Sequence, residues 1–256
     1  MDLRRIDHGT CDSTNERALE ALGAGTARHG DVHTALEQTR GRGQRGRAWW
    51  SAPTGGLYLT LVWAPDASLD PALLTMAAGL GALDCARSAG AATAQLDWPN
   101  DVLVDGAKLA GVLVEARSLG GGRTGCAVGV GLNVAQAEFP RSLTAERLVT
   151  SLALLGHEAR PLDLAEPLSS ALAARLEAAA HQPLEEGRAF LEAAGLLGQR
   201  VEVVQGEQRL EGDLHGLDTA DGARLVLETE KGVQRLVAAH VQGVRLVPQE
   251  PRESPS

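Results

Sequence analysis

Gly41-Arg42-Gly43-Gln44-Arg45-Gly46-Arg47 (GRGQRGR), followed by Ala48-Trp49-Trp50-Ser51-Ala52-Pro53-Thr54-Gly55-Gly56, is the stretch that decides between two fold classes. Its glycines at 41, 43 and 46 match G-x-G-x-x-G, the fingerprint of dinucleotide-binding folds. That fingerprint requires a helix to begin at once, because the pyrophosphate rests on the helix N-terminus. Here two tryptophans, a proline and a Gly-Gly pair follow, and then Leu57, Leu59, Leu61 and Trp63 alternate at period two. The stretch therefore leads through a turn into a strand, which argues against a doubly wound nucleotide fold. What remains is a flexible loop with three guanidiniums and exposed backbone N–H groups. Such a loop suits a ligand bearing phosphate, since the arginine fork binds phosphoryl oxygens in pairs. The competing reading is a solvated basic surface loop, which Arg/Gly stretches often are.

Upstream of the loop, residues 31–37 form a strand, and STNERALEAL (13–22) opens on cap residues with Ala18, Leu19 and Leu22 on one helical face. Downstream, Leu73, Ala77, Leu80 and Asp84 give a helix over 71–89. Val102-Leu103-Val104, Asp105-Gly106 and Leu109 to Glu115 read as a hairpin around an Asp-Gly turn. CAVGVGLNV (126–134) is a buried strand whose glycines allow close backbone approach. Leu164, Leu168, Leu172 and Leu176 mark a core helix, and a second helix spans about 185–196. At Gly198 the pattern changes to short strands punctuated by turns, the texture of a small β-barrel. The expected organisation is an α+β domain over 1–197, a β module over 198–248 and a disordered tail over 249–256.

Composition narrows the function. A net charge of −9 argues against a protein built for duplex DNA, where a basic face supplies most of the affinity. The start is polar, with no signal peptide, and the apolar run from Leu73 to Leu83 is too short to span a bilayer. Three scattered cysteines (Cys11, Cys85, Cys126) support neither a disulfide frame nor a zinc site. A reduced, cytoplasmic protein is expected. None of the seven histidines lies in a triad-like or zinc-binding pattern, so a hydrolase or zinc enzyme has no support. Only Lys108 and Lys231 are lysine, and all four tryptophans fall between Trp49 and Trp98, so those positions carry more information than usual.

Four stretches carry chemistry. The first is the loop, with Trp49 offering a stacking face for a base. In the second, Trp98-Pro99-Asn100-Asp101 runs into Lys108-Leu109-Ala110-Gly111, and the hairpin brings Lys108 back towards Asn100 and Asp101. A lysine there suits charge developing on phosphorus oxygens. Lys231, in Glu230-Lys231-Gly232, reads as an exposed turn. The third is Asp12-Ser13-Thr14-Asn15 with Gln38, where Ser13 and Thr14 read first as helix caps. Their hydroxyls equally suit a small polar ring. In the fourth, Asn133 ends Gly129-Val130-Gly131-Leu132-Asn133, within reach of a ribose or phosphate.

In order and spacing, DSTN (12–15), Gln38, GRGxxGRxW (41–49), WPND (98–101), KLAGVLVE (108–115) and GVGLNV (129–134) resemble the biotin protein ligase family. The resemblance implies a catalytic domain related to class II aminoacyl-tRNA synthetases and lipoate ligases, followed by a small Src-homology-3-like (SH3-like) barrel. It implies that Ser13, Thr14, Asn15 and Gln38 hold the biotin ureido ring, and that Gly41 and Gly111 bring backbone against biotin. Lys108 and Arg42 then meet the carboxylate and the α-phosphate. Gly43, Gln44, Arg45 and Arg47 belong to the loop that orders over the adenylate, Trp49 is the adenine platform, and Asn133 lies near the adenylate. Asn100 and Asp101 stand where the acceptor lysine arrives, with Asp101 the candidate to orient the amine or take its proton. ATP and magnesium are implied, the metal entering on the ATP phosphates without a protein cage. The implied partner is a biotin carboxyl carrier domain, and family members often form homodimers, though no stripe in this sequence selects one.

Two positions depart from the family pattern. Gln44 stands where many members carry arginine, removing one guanidinium from the adenylate grip. Asp97 replaces the commoner lysine before WPND, which removes a phosphate partner. With the DSTN block beginning at residue 12, the expectation is a ligase without a DNA-binding repressor arm. Two rivals are a lipoate ligase or octanoyl transferase on the same fold, and a biotin-sensing protein that has lost turnover. GRGxxGR followed by KLAG disfavours the first, and the presence of both Arg42 and Lys108 the second.

Overall fold

The computed structural model describes residues 1–65 and 69–248. The expected disordered tail, 249–256, lies outside the described residues. Its first half runs β1 (Arg4–Asp7), β2 (Thr10–Cys11), α1 (Thr14–Gly23), β3 (Asp31–Ala35), β4 (Glu37–Gln38), β5 (Gly56–Trp63) and α2 (Pro71–Ser88). The hairpin strands follow as β6 (Gln95–Asp97), β7 (Asp101–Val104), β8 (Ala107–Gly120) and β9 (Arg123–Asn133). Three helices come next, α3 (Arg141–Glu146), α4 (Ala165–His181) and α5 (Pro183–Ala193). The chain closes with β10 (Arg200–Gln205), β11 (Gln208–Asp218), β12 (Arg224–Thr229), β13 (Gly232–Val237) and β14 (Gly243–Leu246).

A seven-stranded mixed sheet in the order β1-β3-β5-β9-β8-β7-β6 forms the first layer; β1 and β3 are parallel and its other neighbours antiparallel. Leu57, Leu59, Leu61 and Trp63 pack into the main core beneath α2 and α4, as their alternation predicts. The intervening Tyr58, Thr60 and Val62 are buried too, because α1 covers the opposite face with Ala18 and Leu22 against Val62 and Ala127. With helices on both faces and the loop over Tyr58, every residue of β5 is buried. A leucine so enclosed contributes about 1.5–3 kcal/mol.

The 105–106 turn has both residues at positive φ (50° and 77°), the conformation that favours Asp-Gly in a two-residue hairpin. After residue 198 the strands form a separate five-stranded antiparallel sheet, β13-β12-β11-β10-β14. This sheet shares one apolar core with the helices, Leu217 of β11 packing at Gly187 of α5; on the same helix Phe190 meets Trp98 edge-on at 5.9 Å. The Trp98 indole also donates to the Val241 carbonyl at 3.2 Å. The WPND turn is thus anchored to the segment that leads into β14.

Candidate active site

No helix follows Gly46. Gln44–Gly46 make a single 3-10 turn in which Arg45 takes φ 58°, and the chain then runs extended into β5. The loop folds over the centre of the large sheet and roofs a cavity that stays partly open to solvent.

One end of the cavity is polar and lies where α1 begins. Ser13 precedes the helix but makes no side-chain cap hydrogen bond, so its hydroxyl is not a cap, contrary to the first sequence reading. Thr14 donates through its backbone N and Oγ1 to Gln38 Oε1 (2.8 and 3.2 Å). Thr60 Oγ1 lies 2.8 Å from Thr14 Oγ1 and 2.6 Å from Asn15 Oδ1. Asn15 Nδ2 donates to the Leu113 carbonyl and to Glu115 Oε2 (3.1 and 2.9 Å). Ser13, Thr14, Asn15 and Gln38 all line the cavity. This buried, cross-linked set fixes donors and acceptors before any ligand arrives.

The floor of the cavity is backbone. At Gly111 and Gly131 an added Cβ would stand 2.8 and 2.6 Å from the Trp49 ring. The indole therefore lies flat on two neighbouring strands, an approach only glycine permits. Its Nε1 is buried with no hydrogen-bond partner among the described residues. The Lys108 ammonium sits over the same ring, 5.2 Å from its centroid.

Lys108 is 7% exposed and pairs with Asp101 Oδ1 at 2.5 Å. Burial lowers its pKa, and the neighbouring Asp101 carboxylate opposes that shift. Asp97 is the register partner of Asp101 across β6 and β7. Burial, with the Asp101 charge second, raises the Asp97 carboxyl above its ordinary value. Position 97 thus adds no cation, consistent with the departure noted in the sequence.

Of the expected loop contacts, Gly43, Gln44, Arg47 and Trp49 line the cavity together with Asn100, Lys108 and Gly111. Arg42 lines it as well, but its guanidinium is held by Glu16 Oε2 (2.9 Å) and Glu115 Oε2 (3.0 Å). The side chain staples the loop to α1 and β8. Arg45 is not brought to the cavity: it reaches the carbonyl of Gln242, just before β14, at 3.4 Å. Gly41 stands behind the wall, its Cα hemmed by the Trp49 carbonyl, Ser51 and Gln38. Asn133 also lies behind it, its Nδ2 directed to the Thr150 and Lys108 carbonyls (2.9 and 3.4 Å). Asn100 Nδ2 donates to the Val112 carbonyl at 2.8 Å, holding the WPND turn against β8.

Sequence reasoning missed Glu16, Glu115 and Arg147. Glu115 closes the KLAGVLVE block and its position there was available as a signal; Arg147 lies in no motif. Among the described residues no three His, Cys, Asp or Glu side chains gather as a metal cage. Trp49, with its stacking face and unpartnered Nε1, and the adjoining cations fit a nucleotide that brings its own divalent ion.

Residues 9–133 match the biotin/lipoate A/B protein ligase family. The chain is 35% identical over 238 residues to the biotin--[acetyl-CoA-carboxylase] ligase of Paracoccus denitrificans, covering 90% of this chain and 96% of that one. It is 33% identical over 140 residues to the bifunctional ligase/repressor BirA of Escherichia coli, 43% of that protein's length. The solved biotin protein ligase from Aquifex aeolicus, in complex with biotin and ATP, superposes with a TM-score of 0.76 at 26% identity over 95% of this chain and 99% of that one. A polar ring pocket, a stacked tryptophan and a buried lysine under one glycine-rich loop accord with that relationship, and the chain belongs to the biotin protein ligase family.

Proposed function

We propose that the protein is an ATP-dependent biotin protein ligase that forms biotinyl-5′-AMP and passes biotin to a lysine of the carrier domain of acetyl-CoA carboxylase. The observation that carries this reading is the single cavity joining the Ser13–Asn15 and Gln38 pocket to Lys108 and Trp49. Its polar end suits the ureido ring, whose carbonyl and two N–H groups need fixed partners in a dry site.

Biotin's carboxylate must approach the α-phosphorus of ATP, so two anions meet. Lys108, on the cavity wall beside Trp49, is the cation that stabilises the charge developing on the phosphorus oxygens. Magnesium, when bound, enters on the triphosphate and disperses its charge. The new carboxylate–phosphorus bond forms as pyrophosphate leaves. The resulting mixed anhydride is prone to hydrolysis, and the loop over the cavity excludes water from it. In the second half-reaction the carrier lysine amine attacks the acyl carbon and AMP departs. Asp101, beside Lys108 at the end of the WPND turn, is the carboxylate that orients the amine or takes its proton.

On this reading residues 1–197 are the catalytic domain, with a sheet akin to that of class II aminoacyl-tRNA synthetases, and 198–248 are an SH3-like barrel. The five antiparallel strands support the latter. The three free cysteines suit a reducing cytoplasm. Incubation with ATP, magnesium, radiolabelled biotin and a biotin carboxyl carrier domain tests the proposal: label must appear on the carrier. Failure of transfer with all four present would overturn it.

A further inference from the structure

Two of the cations that line the cavity, Lys108 and Arg42, are already compensated by carboxylates. Lys108 is paired with Asp101, while Arg42 is paired with both Glu16 and Glu115, so this set carries more negative than positive charge. A polyanion is repelled by such a set unless further cations face it. Two other guanidiniums line the cavity, Arg47 and Arg147. Arg47 is exposed on the loop, its Nε directed to the Gln44 carbonyl at 3.5 Å. Arg147 forms no ion pair with any described residue.

The backbone dictates where Arg147 points. Lys108 N donates to the Leu148 carbonyl (3.0 Å) and Thr150 N to the Lys108 carbonyl (2.9 Å), so the segment after α3 lies parallel to β8 with Val149 opposite Lys108. Arg147 is extended (φ −161°, ψ 157°). Side chains two apart on an extended segment share a face, and register partners share it across the pair. Arg147, Val149 and Lys108 therefore face the same side, and all three border one small pocket beside Trp49. Asn133 holds this arrangement by donating to the Lys108 and Thr150 carbonyls together.

We propose that Arg147 is a further catalytic residue, binding the phosphate oxygens of the nucleotide next to Lys108 and stabilising the charge that builds on them during adenylation. The inference rests on the ligase reading above. In the step, a biotin carboxylate oxygen bonds to the α-phosphorus as the bond to pyrophosphate breaks, and pyrophosphate leaves with the electron pair. Arg147 stays protonated throughout and exchanges no proton.

The test compares the wild-type chain with Arg147→Ala and Arg147→Lys. Biotin-dependent pyrophosphate release is measured, alongside calorimetric titrations with Mg-ATP, adenosine and biotin. Loss of a charged donor on a developing oxyanion costs on the order of 100-fold in rate. Arg147→Ala should lose about that in pyrophosphate release and bind Mg-ATP more weakly, with adenosine and biotin affinities unchanged; Arg147→Lys should recover part of both losses. Wild-type release and wild-type Mg-ATP affinity in Arg147→Ala would overturn the assignment. Equal weakening towards adenosine and Mg-ATP would overturn it as well, since that pattern marks a structural role. If the wild type itself releases no pyrophosphate with biotin, the ligase reading falls, and the Mg-ATP and adenosine titrations still decide for or against Arg147 as a phosphate ligand.

Discussion

The Lys108 ammonium lies 2.5 Å from the Asp101 carboxylate while remaining 7% exposed, so one neighbour opposes the fall in pKa that burial imposes on it. Lys108→Met keeps the apolar stem and removes the charge. Asp101 retains partial access to water, at 21% exposure, so the fold should survive. Biotin-dependent pyrophosphate release should fall by about 100- to 1000-fold. A variant that still biotinylates a carrier at the normal rate would move the catalytic cation elsewhere.

Gln44 faces the cavity from the 3-10 turn of the loop. Gln44→Arg restores a guanidinium at that mouth, and a charged hydrogen bond to phosphate is worth about 1.5–3 kcal/mol. Release of preformed biotinyl-AMP, followed by stopped-flow fluorescence, should slow roughly tenfold or more. An unchanged dissociation rate rules out a looser grip at this position.

Gly131→Ala places a methyl group where the Trp49 ring now lies, with 2.6 Å between the two. The indole must swing out, since the glycine is on a central strand that cannot move cheaply. Adenosine affinity should drop about tenfold, from the loss of roughly 1–3 kcal/mol of stacking. Biotin affinity should change far less. Equal losses for both ligands would contradict the placement of the base on Trp49.

The His8 and His33 rings stack 5.2 Å apart with Nε2 and Nδ1 separated by 2.9 Å, an arrangement that disfavours protonating both. Burial, followed by the His8 charge, pushes the His33 pKa down to about 4. The unfolded chain therefore takes up its proton near pH 6.5 while the fold still refuses it. Stability is full above that value and is lost as pH falls towards about 4, with the slope ending below it. Asp12 and Asp31 have lowered pKa values and act in a more acidic window. Thermal melts between pH 7 and 4 should show a declining Tm, and His33→Asn should flatten that decline. A parallel decline in the variant would remove His33 as its cause.

The strands, the principal helices and the Asp-Gly hairpin were legible because period and turn chemistry are local. Thr60 shows what was not: its burial depends on α1 crossing the far face of β5, a contact set by sequence-distant residues. The polar pocket, Lys108 and Trp49 followed from motif order, whereas the guanidinium partners did not. Arg42 and Arg45 look alike in the loop, yet one meets Glu16 and Glu115 and the other the Gln242 carbonyl. Arg147 reaches the site only through its register against Lys108, which no local pattern announces.

Lysine scarcity has a consequence for self-damage. An acyl adenylate that escapes a ligase reacts with whatever amine it meets, its own source included. This chain offers three primary amines: Lys108 engaged with Asp101 inside the site, the amino terminus held by Glu177, and Lys231 on an exposed turn. Almost all the positive surface charge is borne by guanidiniums, which such an anhydride leaves untouched. Lys231 is therefore the chief target for self-labelling, and Lys231→Arg would give a catalyst almost blind to its own leaked product.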